Sequence, residues 1–283
     1  LNPLYAVLLG IIQGLTEFLP VSSTAHLTLS GKLLGLIDPS HPESWTEFVA
    51  VMQLGTLAAV LLYFRKDIAT MTAALFHDVA RLGIGSGFSG YSQESRMALF
   101  IVLGTLPVGF LGYGFKHIIE GALTKTTLVI VASLVALAAL LWIAEKAARH
   151  IRTLQDVKWT DALLIGCAQA IALIPGSSRS GTTMTAALFL GFTRETAARF
   201  SFLLSIPAVL ASGVFEMSRI HGTFDLGVTN LVIATVVSGI SGYAAIAWLL
   251  KYLMKNTTMA FVWYRFALGF LLTLLLLQGI LQP

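Results

Sequence analysis

The sequence predicts an all-α polytopic membrane protein, an inverted-topology repeat of about six transmembrane helices and two re-entrant helical hairpins. Three observations predict it. Of 283 residues, 56% are hydrophobic and only 11% charged, against about 25% charged in ordinary soluble domains. Six stretches are apolar over roughly the 20 residues that a spanning helix needs. Two further apolar stretches are each interrupted by a proline and a run of hydroxyl residues. A mean hydropathy of +0.82 excludes a disordered chain, a secreted disulfide scaffold and a cytosolic enzyme. The net charge of +4 comes from basic residues scattered through short loops, which read as topology signals facing anionic lipid, not as a nucleic-acid surface. Cys167 is alone, so no internal disulfide is expected, and it reads as a small buried hydrophobe.

The first broken region runs from Leu4 to Leu19, where Pro20 and the run Ser22-Ser23-Thr24 end it; a shorter apolar piece follows over residues 27–36. The six spans are expected near 48–64, 97–115, 128–144, 200–217, 228–250 and 260–277. The second broken region lies between the third and fourth spans. Residues 162–174 are apolar, Pro175-Gly176-Ser177-Ser178-Arg179-Ser180 interrupts them, and 184–192 are apolar again. A backbone break at membrane depth is tolerated only where protein or a wet cavity surrounds it. No cleavable signal is expected, because the first apolar stretch lacks a basic leader and runs into Glu17.

The broken regions resemble each other. Gly10-Ile11-Ile12-Gln13 parallels Gly166-Cys167-Ala168-Gln169, and Pro20-Val21-Ser22-Ser23 parallels Pro175-Gly176-Ser177-Ser178 with a one-residue slip. Glu47-Phe48 parallels Arg199-Phe200 at the start of an apolar helix. One membrane domain over residues 1–283 follows, with a first repeat of about 1–145 and a second of about 158–283. Three crossings separate the hairpins, so they are expected to enter from opposite sides. Arg65, Lys66, Arg81 and Arg96 after the first span, and Lys146, Arg149, Arg152 and Lys158 before the second hairpin, mark the cytoplasmic side. The loop 38–47 and both termini then fall outside.

Gln13 and Glu17, four residues apart, share one face of an otherwise apolar helix, and a carboxylate there is costly unless paired or bound to a cation. Ser22, Ser23 and Thr24 open the next half-helix, where hydroxyls also serve as N-caps. Ser23 and His26 are spaced i, i+3 on one face, a pairing that activates a hydroxyl nucleophile. The second hairpin offers a Gly- and hydroxyl-rich turn with Arg179 inside it. Free helix N-terminal amides and a guanidinium fork suit an anion; the alternative for Arg179 is a structural counter-ion to Glu17. The final Lys-Ser/Thr of a Walker loop is absent. A carboxylate, a Ser–His pair, an arginine and two helix N-termini fit phosphoryl chemistry on a lipid phosphate reached inside the membrane.

Gln13-x-x-x-Glu17, the run Pro20–Val21–Ser22–Ser23–Thr24–Ala25–His26, and the run from Pro175 through Arg179 to Thr183 resemble the signatures of the bacterial undecaprenyl-diphosphatase family. The resemblance covers nearly the whole chain. It implies hydrolysis of undecaprenyl diphosphate to undecaprenyl phosphate, recycling of the cell-wall lipid carrier, and bacitracin resistance, in the bacterial plasma (inner) membrane with the active site facing outward. It implies a divalent cation, Mg²⁺ or Ca²⁺, on Glu17 and Gln13, and Ser23 as the nucleophile with Ser22 beside it. It implies His26 as the acid/base, Arg179 as the phosphate ligand, and Thr24, Ser178, Ser180 and Thr183 as its polar neighbours. Whether Ser23 attacks or positions a water stays open at this point, and an oligomer is compatible with the sequence. The alternative function is an inverted-repeat secondary transporter or lipid-phosphate flippase, which needs ion ligands and gates but no nucleophile.

Overall fold

The computed structural model describes residues 2–37, 42–83, 87–115, 126–219 and 227–281, and these are helical apart from short turns and loops. Six helices are long and apolar enough to cross a membrane: α3 (Pro42–Tyr63), α5 (Gln93–Gly114), α6 (Thr127–Ala147), α9 (Arg194–Arg219), α10 (Val228–Leu253) and α11 (Met259–Leu277). Each coincides with an expected span. Large apolar side chains such as Phe110, Ile240 and Phe270 point outward, as a lipid-facing surface requires. Cys167 departs from expectation. It is exposed, next to exposed Leu164, because its helix, α7 (Trp159–Ile171), buries the opposite face, which carries Gly166 and Gln169.

The two interrupted regions form helix pairs, α1 (Pro3–Phe18) with α2 (Ser23–Leu33), and α7 (Trp159–Ile171) with α8 (Arg179–Phe189). The second limbs begin earlier than hydropathy predicts, at Ser23 and Arg179, because the hydroxyl runs cap and enter the helices instead of merely breaking them. Ser22 (φ 74°, ψ 96°) accepts from the amide of Ala25, and Ser178 (φ 68°, ψ 114°) accepts from the amide of Gly181. Both caps sit at positive φ, a conformation unusual for a residue with a Cβ. One constant offset therefore pairs Gly10 with Gly166, Gln13 with Gln169 and Ser22 with Ser178. The one-residue slip disappears, and Ser23 corresponds to Arg179.

Helix α1 lies on α10 and α7 lies on α5; α3 meets α9, and α6 meets α11. Close approach needs glycine at the paired positions. A Cβ on Gly10 would lie 2.6 Å from the Ala234 carbonyl oxygen, and one on Gly166 would lie 2.1 Å from that of Gly104. Small residues are how helices approach where lipid removes the hydrophobic drive between them.

At one end of the bundle, charged residues tie the helices together. Arg199 at the start of α9 reaches Asp67, Arg194 pairs with Glu145, and Glu145 also accepts from the Thr258 hydroxyl at 2.7 Å. Arg152 pairs with Asp161 and bonds the Leu190 carbonyl at the end of α8. Sequence reading gave the segment after the first span only as a basic loop; it contains an 18-residue amphipathic helix, α4 (Arg65–Leu82). Its Asp78 accepts from the Ser92 amide and the Ser95 hydroxyl, each at 2.7 Å, and so clasps the start of α5. Hydrogen bonds from Ser92 and then Ser95 hold this carboxyl well below the usual carboxylate range. At the opposite end, Lys32 near the end of α2 donates to Thr127 at the start of α6.

Between the ends, Arg265 of α11 is fully buried. Its guanidinium donates to the carbonyls of Leu134 (3.1 Å), Pro20 (3.5 Å), Gly176 (3.4 Å) and Ser177 (3.2 Å). One side chain thus holds the turn of each hairpin. Arg265→Leu is expected to lower unfolding stability in detergent by about 3 kcal/mol, since buried carbonyls left unmatched cost about 1–3 kcal/mol each. Arg265→Lys should fail to restore it, because an ammonium cannot span two turns as a planar fork does. Wild-type melting in Arg265→Leu would contradict the clamp.

Candidate active site

The hairpin turns meet around Glu17. This carboxylate is buried at the end of α1 and forms an ion pair with Arg179 of α8. Its other oxygen accepts from the Gln13 amide at 3.0 Å and from the Ser23 hydroxyl at 2.9 Å. The first hairpin therefore supplies a carboxylate with a hydroxyl on it, and the second supplies the cation. This ion pair is the counter-ion alternative for Arg179, and the same guanidinium lines the cavity beside Glu17.

That cavity has a volume of about 200 Å³ and is lined by Glu17, Ser23, Thr24, Ser178 and Arg179 from the hairpin turns. Gln53 of α3 and Gln169 of α7 complete its polar wall, and Val108, Leu173 and Ala208 form an apolar one. Pockets that enclose whole small molecules run to roughly 300–1,000 Å³, so this one suits a head group whose tail remains outside it.

Several expected site residues hold the scaffold together. Ser22 is the N-cap of α2. Ser180 is buried and donates across the hairpins to the Leu19 carbonyl at 3.1 Å, fastening α8 to the end of α1. Thr183 is buried and bonds the Arg179 carbonyl at 2.8 Å and the Ser201 hydroxyl at 2.6 Å. Ser178 combines both roles, capping α8 while facing the cavity.

His26 lies elsewhere than expected. Its Nδ1 is 2.7 Å from the Ser22 carbonyl, and its Nε2 is 2.6 Å from the Tyr264 hydroxyl, over which the ring stacks at 5.6 Å. A carbonyl can only accept, so Nδ1 carries a proton toward Ser22. No hydrogen bond joins Ser23 to His26 among the described residues. The i, i+3 spacing sets them on one face, but at the helix start Ser23 turns back to Glu17. Tyr264, Arg265, Gln53 and Gln169 were not singled out in the sequence as site residues. Arg265 carried one available signal, a lone arginine inside a predicted span.

Glu17 is also where a divalent cation would be held. Among the described residues no group of three or more His, Cys, Asp or Glu side chains gathers, so a cage built wholly from protein is not present. Gln13 Oε1, beside Glu17, is buried and has no hydrogen-bond partner. One carboxylate, one free amide oxygen and a neighbouring hydroxyl fit a cation that completes its shell with water and phosphate oxygens, the usual habit of Mg²⁺ at phosphate sites.

The family model described as bacitracin resistance protein BacA matches residues 6–271. The chain belongs to the BacA family. Among its relatives, a Syntrophobacter fumaroxidans protein named undecaprenyl-diphosphatase is 50% identical over 272 residues, 95% of each chain. Proteins of the same name from Myxococcus xanthus and Chlorobium phaeovibrioides are 50% and 47% identical. Their alignments cover 99% and 98% of this chain, and 91% and 98% of theirs. The BacA match thus runs from within α1 to within α11.

The two strained caps offer a test of the site's scaffold. At Ser178, alanine loses the cap acceptor and keeps the positive-φ strain, whereas glycine loses the cap and relieves the strain. Ser178→Gly is therefore expected to melt above Ser178→Ala, a gap of about 1 kcal/mol and the reverse of the ordinary helical order. An alanine variant as stable as the glycine variant would contradict the strained geometry.

Proposed function

We infer that this chain hydrolyses undecaprenyl diphosphate to undecaprenyl phosphate and inorganic phosphate, as the names of its BacA-family relatives indicate for them. Recycling of the cell-wall lipid carrier and bacitracin resistance follow from that activity and from the family. The observation that carries the reading is the convergence of Glu17, Ser23 and Arg179, from two helix turns, on a cavity sized for a diphosphate head. A transporter or flippase needs no hydroxyl hydrogen-bonded to a carboxylate beside an anion site.

In this reading Arg179 passes from Glu17 to the diphosphate and neutralises charge on the transferring phosphoryl group. The Ser23 oxygen attacks the terminal phosphorus. Its proton goes to Glu17, which already accepts the Ser23 hydrogen bond, and the bond from phosphorus to the bridging oxygen breaks to release undecaprenyl phosphate. Water then attacks the phosphoserine phosphorus, the bond from phosphorus to the Ser23 oxygen breaks to release inorganic phosphate, and Glu17 returns its proton to Ser23. A divalent cation held by Glu17 and Gln13 would supply Lewis-acid polarisation of the phosphoryl oxygens. His26, bonded to the Ser22 carbonyl and to Tyr264, sets the turn that presents Ser23.

We assign the charged end of the bundle to the cytoplasm on the positive-inside rule. The hairpins then enter a bacterial plasma membrane from opposite faces, as an inverted repeat. Supporting this, α8 ends at Arg152 in the charged end, while α2 ends at Thr127 in the other. Ser212, on the cavity wall, lies about 27 Å along α9 from Arg194 at 1.5 Å per residue. The cavity therefore opens toward the extracytoplasmic side.

The direct test is phosphate release from undecaprenyl diphosphate by the purified protein in detergent. Glu17→Gln and Arg179→Ala are each expected to lower turnover by at least about a hundredfold, the effect of losing about 2.7–4 kcal/mol of transition-state stabilisation. Ser23→Ala should abolish turnover to the same degree. A folded Ser23→Ala protein that keeps a tenth of the rate would rule out the covalent route in favour of attack by water.

A further inference from the structure

The least explained side chain near the cavity is Gln169. It is fully buried, it lines the cavity with Glu17 and Arg179, and neither its Oε1 nor its Nε2 has a hydrogen-bond partner. A carboxamide without partners in an apolar interior is costly, because both its donor and its acceptor have lost water. Its counterpart in the first hairpin, Gln13, donates to Glu17. The position corresponding to Glu17 is Leu173, which offers nothing. The matching partner of Gln169 is therefore not another protein group on its own helix; it is whatever enters the cavity.

We propose that Gln169 is a direct ligand of the substrate's diphosphate, its Nε2 donating to a phosphate oxygen on the side of the head group facing α7. The proposal rests on the phosphatase reading given above. Two features of the site favour an anionic partner over an apolar one. The guanidinium of Arg179 and the hydroxyl of Ser178 border the same cavity. The α8 N-terminus, the positive end of its helix dipole, borders it through Ser178 and Arg179. A neutral amide also adds a donor without the charge that would hold a product phosphate too tightly. Gln169 then acts in binding, with Arg179 and Ser23 acting on the reacting phosphorus.

The test compares Gln169→Leu and Gln169→Asn with the wild type. It uses steady-state hydrolysis of undecaprenyl diphosphate, and the rise in melting temperature produced by a non-hydrolysable farnesyl methylenediphosphonate. Gln169→Leu is expected to raise KM roughly 10- to 100-fold, the effect of one hydrogen bond to a charged group, with a smaller change in kcat. It should lose most of the phosphonate-induced shift while melting, without ligand, at or above the wild-type temperature, since it removes an unmatched polar group from the interior. Gln169→Asn should fall between the two. Unchanged kinetics and an unchanged phosphonate shift in Gln169→Leu would overturn the proposal and leave the phosphatase reading standing. A lost shift accompanied by a lower ligand-free melting temperature would also overturn it, by showing that the amide is a structural member. A wild-type protein that neither hydrolyses the lipid nor shifts with the phosphonate would overturn both readings.

Discussion

Two interruptions of the helical hydrogen-bond ladder inside an apolar body are the constraint on which the rest of this structure depends. Each break frees carbonyls and amides that lipid cannot satisfy. The fold meets the carbonyls with one buried guanidinium, that of Arg265, which reaches Pro20 in one turn and Gly176 and Ser177 in the other. It meets the amides with the side chains of Ser22 and Ser178. Because the same arginine serves both turns, the turns must be neighbours. Because they are neighbours, α2 and α8 begin side by side, and the groups at their first positions share one cavity. The site follows from how the broken backbone is satisfied.

The paired hairpins supply different chemistry from equivalent positions. Ser23 and Arg179 both follow a strained serine cap, yet one is a hydroxyl held by a carboxylate and the other is the cation paired with that carboxylate. Glu17 corresponds to Leu173, so a single acid lies between them. A symmetric pair of arginines or of acids would repel across so short a gap. Divergence at these positions places one acid and one base across from each other.

The long helices were readable because lipid imposes a coarse rule, about 20 apolar residues per crossing, and all six spans obey it. Glu17, Ser23 and Arg179 were readable because polar groups in apolar stretches are costly and therefore informative. Other features depend on contacts distant in the chain. Arg265 interacts with turns some 90 and 245 residues away, so its partners leave no local pattern. Gln169 looks like its mate Gln13, and only the structure separates the amide bonded to a carboxylate from the one that faces a cavity unpartnered. The i, i+3 spacing of Ser23 and His26 does not reveal their partners, Glu17 and Tyr264, since a hydroxyl at a helix start swings back to the preceding helix end. Helix α4 is hard to read from the sequence because its charged residues resemble those of a loop.

The ion pair between Glu17 and Arg179 gives the account its functional content. Each group neutralises the other across the two hairpin turns, and in the proposed function the substrate takes the arginine by exchange. The most direct measurement is the affinity of a non-hydrolysable lipid diphosphonate for Glu17→Gln, with divalent cations chelated. If the carboxylate competes with the ligand for Arg179, this variant will bind the phosphonate several-fold more tightly than the wild type. Weaker binding in a folded variant would contradict the exchange, and with it the claim that Arg179 is the phosphate ligand of this site.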